Sequence, residues 1–265
     1  MDLGADEVFL WILSGILTLF AVTGWVRAMR FSFQWSRCQG AVVLCAPLVC
    51  LLFILIALRL WADDEVRAST VYIFILLLLG AGWLGIATFL FRWLGVSLRD
   101  DAAERNNRAA LAAWCGAIAG ITVVFAGGNV GEGPSLWNNV FSALLGTGGI
   151  VVLWFALDTL GRVSTSITVD RDFAAGIRLG GFLLAVGLIF GRALAGNWGS
   201  VEGTVRDFGR QGWPASALTV AAALLERVSC PTPSRPAPFW LIYGVIPALA
   251  YLAAATIWVI MLGRW

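Results

Sequence analysis

Eight times along this chain the side chains run apolar for nearly the length that a lipid bilayer demands, near residues 8–26, 41–61, 70–91, 109–126, 136–157, 173–195, 213–228 and 239–262. A helix rises about 1.5 Å per residue and the hydrocarbon core is about 30 Å thick, so about 20 apolar residues make one crossing. Inside that core each backbone N–H and C=O must bond within its own segment, which leaves helix as the conformation of each run. Of 265 residues, 60% are hydrophobic and 13% charged, against roughly 45–50% and about 25% in soluble domains. Mean hydropathy is +0.85. The sequence therefore predicts an all-α integral membrane protein of about eight transmembrane helices. Residues 1–265 form a single membrane domain with short connections.

The run 213–228 is the weakest, covering roughly 24 Å. Pro214 suits a first helical turn, and Ala215–Leu225 is apolar all round, as a span rather than an interfacial helix requires. A re-entrant helix is the alternative, and it moves the C-terminus to the other side.

Every basic residue is Arg. The connections 27–40, 92–108, 158–178 and 226–238 hold twelve: Arg27, Arg30, Arg37, Arg92, Arg99, Arg105, Arg108, Arg162, Arg171, Arg178, Arg227 and Arg235. The opposite side holds Arg67, Arg206, Arg210 and Arg264. The positive-inside rule makes the first set cytoplasmic, so both termini are expected outside. The acidic start, with Asp2, Asp6 and Glu7, lacks the positive region of a signal peptide, so the first apolar run is expected to be retained. Trp25, Trp61, Trp93, Trp137, Trp198, Trp213 and Trp240 fall near span ends, as interfacial anchors do.

The middle of the chain repeats. Trp93-Leu94-Gly95-Val96-Ser97 closes the third span and Leu160-Gly161-Arg162-Val163-Ser164 the fifth. A polar turn follows each, Arg105-Asn106-Asn107-Arg108 and Asp170-Arg171-Asp172, and each turn opens a helix beginning Ala-Ala. The units run from about 70 to 134 and from about 135 to 200, with the helices 8–26, 41–61, 213–228 and 239–262 outside them. Each unit crosses twice, so the copies insert the same way up about an axis along the membrane normal. The second helix of each is rich in small residues: Gly116 and Gly120 in one, Gly176, Gly180, Gly187 and Gly191 in the other. Lipid supplies no hydrophobic drive between helices, so spans four and six are expected to pack by close backbone approach.

Asn106-Asn107-Arg108-Ala109-Ala110 with Gly116, Asp172-Phe173-Ala174-Ala175-Gly176, and Trp198 resemble the signature of the YjfL-like family of bacterial inner-membrane proteins, domain-of-unknown-function family 350. The likeness covers roughly residues 70–200. Asp172 stands where that family usually has Asn. The resemblance implies a tandem two-helix fold and the bacterial inner membrane. It implies no activity.

Several chemistries are disfavoured. The chain has no His, the commonest metal ligand and general acid–base and the usual haem ligand. Cys38, Cys45, Cys50, Cys115 and Cys230 form no C-x-x-C pair, so neither a disulfide framework nor a metal site is expected. No cofactor is expected. No basic stripe offers a nucleic-acid surface. Gly127-Gly128-Asn129-Val130-Gly131-Glu132-Gly133-Pro134 is glycine-rich, but it lacks the preceding strand and the Gly-Lys-Ser/Thr ending of a phosphate loop. It reads as a tight outer turn, lining an outer mouth with Gly196-Asn197-Trp198-Gly199. The absence of a carboxylate well inside a span argues against proton relays and intramembrane proteolysis.

The candidate polar site comprises Asn106, Asn107, Asp172 and Arg192. Asn and Asp at helix starts read as N-caps, or as a paired site where two helix N-termini favour an anion. Arg192 lies about 12 Å past the midpoint of its span. It is read as snorkelling outward, as pairing with Glu132 or Glu202, or as contacting a ligand or ion. Two functions stay open: a non-enzymatic structural or assembly subunit, packed with itself or another membrane protein, and a passive channel or small transporter along the repeat axis. An enzyme acting on lipid has little support.

Overall fold

The computed structural model describes residues 5–133, 136–229 and 239–263, without the side chains of residues 5–7 and 35. The start Met1–Gly4, Pro134, Cys230, Arg235 and Arg264, on which expectations were placed, lie outside the described residues, as do the side chains of Asp6 and Glu7. The helices are α1 (Ala5–Trp35), α2 (Arg37–Trp61), α3 (Asp64–Ala68), α4 (Thr70–Trp93), α5 (Arg108–Gly127), α6 (Leu136–Gly161), α7 (Val163–Thr168), α8 (Phe173–Leu194), α9 (Val201–Ser229) and α10 (Ile246–Met261). Two π-helical segments, Leu98–Glu104 and Leu241–Val245, complete the order. Among the described residues the sole β feature is an isolated bridge, Ala62 to Gly131. Seven helices are long and apolar enough to cross a membrane: α1, α2, α4, α5, α6, α8, and α10 with its leading π turn.

Two helices outrun their expected bounds by more than four residues. Helix α1 continues through Arg27 and Arg30 to Trp35 instead of stopping near residue 26. Helix α9 begins at Val201, not Trp213, and spans 29 residues, roughly 43 Å. Pro214 therefore sits inside α9 rather than in its first turn. The polar stretch with Glu202, Arg206, Asp207 and Arg210 reads as loop by composition, yet it extends the helix. Glu202 pairs with Arg206 one turn later at 2.7 Å, the spacing that favours helix. That polar half keeps α9 out of the seven, although it runs the height of the bundle. Thr204, Asp207 and Gln211 lie beside the turns at one end, and Glu226 meets α8 at the other.

Contacts set the helix directions. Trp11 meets Phe74, and Phe20 meets Phe89, so α1 and α4 run parallel. Phe9 near the start of α1 stacks on Trp137 near the start of α6, with ring centroids 6.3 Å apart. Helices α8 and α10 run parallel, from Arg178 beside Tyr243 to Arg192 beside Gly263. The described termini therefore share one end. The other end carries the arginine-rich connections.

Helices α5 and α8 form the core. Trp114, Phe125, Phe182, Leu183 and Val186 are buried there. The surrounding helices leave large apolar side chains exposed, such as Leu52 on α2, Val152 and Phe155 on α6, and Ile257 and Ile260 on α10. An apolar exterior of that extent suits acyl chains as solvent. Cys38, Cys45, Cys50 and Cys115 are free thiols.

Candidate functional site

The site begins with a glycine seam. A Cβ at Gly116 would strike the backbone of Gly180, one at Gly120 the Leu183 carbonyl, and one at Gly187 the backbone of Gly120. Gly176 lies on Ala109, Gly180 on Ala112, and Gly191 on Val123. All six glycines read from the sequence thus fall on the α5–α8 contact. The contacting numbers rise together along both helices, so the pair is parallel. Backbone touches backbone over the full length, the close approach that dispersion between helices requires in lipid.

The seam brings the two capping turns side by side at the arginine-rich end. Asn106 and Arg171 both take left-handed φ, 53° and 54°, a region that a non-glycine residue occupies at a cost. Each is followed by the N-cap. The Asn107 N–H donates to the Asp101 carbonyl at 3.1 Å, and the Asp172 N–H to the Ser166 carbonyl at 2.9 Å. Asn107 Oδ1 accepts from the Ala109 and Ala110 N–H groups, while its Nδ2 donates to the Ile167 carbonyl at 2.7 Å. That bond ties the first turn to the second. Asn106 is exposed and serves the turn through its backbone.

Asp172 caps through one oxygen only, Oδ1 accepting from the Ala174 N–H at 2.9 Å. Its Oδ2 is buried without a hydrogen bond among the described residues and lies 3.8 Å from Arg178 Nη2. Burial pushes the Asp172 carboxyl up from its ordinary value. Arg178 and the N–H groups of Ala174 and Ala175 pull the other way.

Arg178 is the residue that sequence reasoning misplaced. Grouped with the arginines of a cytoplasmic connection, it is in fact in the second turn of α8 with 0% exposure. Its Nε and Nη2 donate to the two oxygens of Glu226 at 2.6 and 2.7 Å, the forked geometry of a strong ion pair. Its Nη1 donates to the Tyr243 carbonyl at 2.6 Å. Glu226, 2% exposed, also packs its Cβ under Gly161. Among the described residues the buried Tyr251 hydroxyl has no hydrogen-bond partner, and the Tyr251 ring lies edge-on to Phe182. Glu226 is thus a buried carboxylate in the last turn of α9, not one well inside a span.

Arg192 is not near this cluster. It is 8% exposed at the opposite end of α8, where its Nη2 donates to the Gly263 carbonyl at 3.0 Å and its Nε to the same oxygen at 3.3 Å. A cation on the carbonyls just past α10 satisfies groups that the helix cannot. The four candidate polar residues therefore form no single site.

The two glycine-rich turns at the opposite end also meet. Gly131 and Gly196 take positive φ, 98° and 139°. Gly196 N–H donates to Val130 O at 3.0 Å, Trp198 N–H to Glu132 O at 2.7 Å, and Glu132 N–H to Asn197 Oδ1 at 3.0 Å. A polar cavity of about 80 Å³ lies beside them, lined by Asn138, Asn139, Asp207 and Gln211 among others. Among the described residues no cluster of acid, thiol or imidazole groups could hold a metal ion.

The chain matches no family model, no curated protein and no solved structure.

Proposed function

We propose that this chain is a structural or assembly subunit of a bacterial inner membrane, crossing eight times with both termini on the periplasmic face. One observation carries the reading. The axis between the two central helices is filled by backbone, with no room for a single Cβ at Gly116, Gly120 or Gly187. A path for ions or solutes along that axis would need space that these glycines have closed.

Other features support the topology. Arginines concentrate at one end, which the positive-inside rule makes cytoplasmic. Helix α9 joins the two ends of the bundle and supplies the eighth crossing. An internal duplication accounts for left-handed residues recurring 65 positions apart, Asn106 with Arg171 and Gly131 with Gly196. The resemblance to the YjfL-like family rests on the same turns. The partner is a second copy or another membrane protein, seated on the exposed apolar faces of the outer helices.

A second reading, a passive channel or small transporter, draws on the buried Arg178–Glu226–Asp172 cluster. Ionisable groups within a membrane domain mark functional paths by default. Reconstitution separates the two. The assembly reading expects no ion flux in proteoliposomes and a mass above the monomer in native nanodiscs. Flux that disappears with Asp172→Ala would overturn it.

A further inference from the structure

Where α1 and α4 part, a groove of about 570 Å³ opens toward the arginine-rich end. Higher up the two helices touch closely, Gly82 on Leu17 and Gly85 on Ala21. Beyond that contact Gly24 faces open space, with nothing within 4 Å of the position a Cβ would take. The groove has two chemistries. Leu19, Phe20 and Phe89 give it an apolar wall, and Arg27, Arg92 and Arg99 stand at its mouth with one carboxylate, Asp100.

The guanidinium groups are incompletely neutralised. Arg92 is 3.7 Å from Asp100, beyond hydrogen-bonding distance. Arg99 bonds Glu104 at 2.9 Å and lies over the Phe31 ring. Arg27 makes no ion pair among the described residues. An apolar trough between two long apolar helices, ending in excess positive charge at the arginine-rich end, is complementary to one amphiphile. Basic pockets between transmembrane helices recognise anionic lipid headgroups in this way.

We propose that this groove binds an anionic phospholipid, with an acyl chain along Leu19, Phe20 and Phe89 and the phosphate at Arg27, Arg92 and Arg99. The site rests on the membrane reading above but not on the choice between assembly and transport. The guanidinium fork suits a phosphate, whose oxygens it engages in pairs.

The test is native mass spectrometry of the full chain, released from nanodiscs of mixed phosphatidylglycerol and phosphatidylcholine. The wild type should retain one phosphatidylglycerol in preference to phosphatidylcholine. Arg27→Gln, Arg92→Gln and Arg99→Gln should each weaken retention about five-fold, from the roughly 1 kcal/mol that each basic residue contributes near an anionic surface. Gly24→Phe should fill the trough and abolish retention. Gly15→Phe, on the same helix with equally open space but outside the groove, should leave it unchanged. Equal retention of the two lipids, or indifference to Gly24→Phe, would overturn the proposal. So would displacement of the bound lipid by millimolar inorganic phosphate, which would make this a soluble-anion site, or a photo-crosslinker at residue 24 that captures protein instead of lipid. Recovery of the chain outside the membrane fraction would instead sink the membrane reading itself.

Discussion

The turn before α5 and the turn before α8 share a backbone but not a chemistry. Both place a left-handed residue before an N-cap, and both bond the cap's N–H to a carbonyl six residues upstream. At Asn107 the cap is neutral and its side chain is fully used, since its amide nitrogen donates to Ile167 O. At Asp172 the second oxygen faces Arg178 instead. Ala113 stands at the position in α5 that matches Arg178, and it is fully buried. The backbone of the turn thus tolerates either cap, and the neighbour decides which is needed. The Ile167 carbonyl calls for a donor, whereas Arg178, already paired with Glu226, needs no second donor or charge from the cap.

Removing the charge that neutralises Arg178 should have the largest effect. Glu226→Ala leaves Asp172 as the sole acid near a buried guanidinium and should cost about 3–5 kcal/mol, whereas replacing Arg178 and Glu226 together by Met should cost far less. Chemical unfolding in micelles measures both. A loss below about 1 kcal/mol for Glu226→Ala would mean that the second turn is as undemanding as the first.

The seam that holds the turns together comes next. Gly116→Leu should destabilise by about 1–3 kcal/mol or more, because the obstructing atoms are backbone and cannot rotate away. Gly148→Leu, with nothing nearby, should be close to neutral.

Exchanging the caps tests the comparison directly. Asn107→Asp preserves the cap but turns an acceptor toward the Ile167 carbonyl, leaving that group unsatisfied at a cost of about 1–3 kcal/mol. Asp172→Asn also preserves the cap, and its cost should be within about 1 kcal/mol. Equal costs for the two exchanges would show that the neighbours do not discriminate.

The smallest effect is in the pH profile. Asp172 has a raised native pKa, so the folded state holds its proton more tightly than the unfolded state. Its contribution to stability is largest below the ordinary aspartate value of about 3.9 and is lost as the pH rises through the native value. The stability of the wild type relative to Asp172→Asn should therefore fall with rising pH. A flat difference would mean that Asp172 titrates as if exposed.

Much of this was legible in the residues. Asn107 and Asp172 before Ala-Ala read as caps, and both cap. The glycines of the small-residue runs read as a contact between spans four and six, and they line it. Arg178 and Glu226 were not legible as a pair, because an arginine six residues into a helix looks the same in sequence whether it faces lipid, water or a carboxylate. Arg192 was read for its depth, but its acceptors are carbonyls 70 and 71 residues away. The first half of α9 was hidden for the opposite reason. Polar composition suggested a loop, whereas the backbone there continues the helix.

By itself the sequence determined the apolar helical class and the small-residue seam. These follow from local facts: the length of an apolar run, the residue at a helix start, and the absence of a side chain at glycine. Only the tertiary structure decided which charges are buried and what they meet. Arg178 and Glu226 are 48 residues apart, and whether two such groups cancel depends on the rotation of two helices about their axes. Many residues along both helices set that rotation together, and no short stretch encodes it.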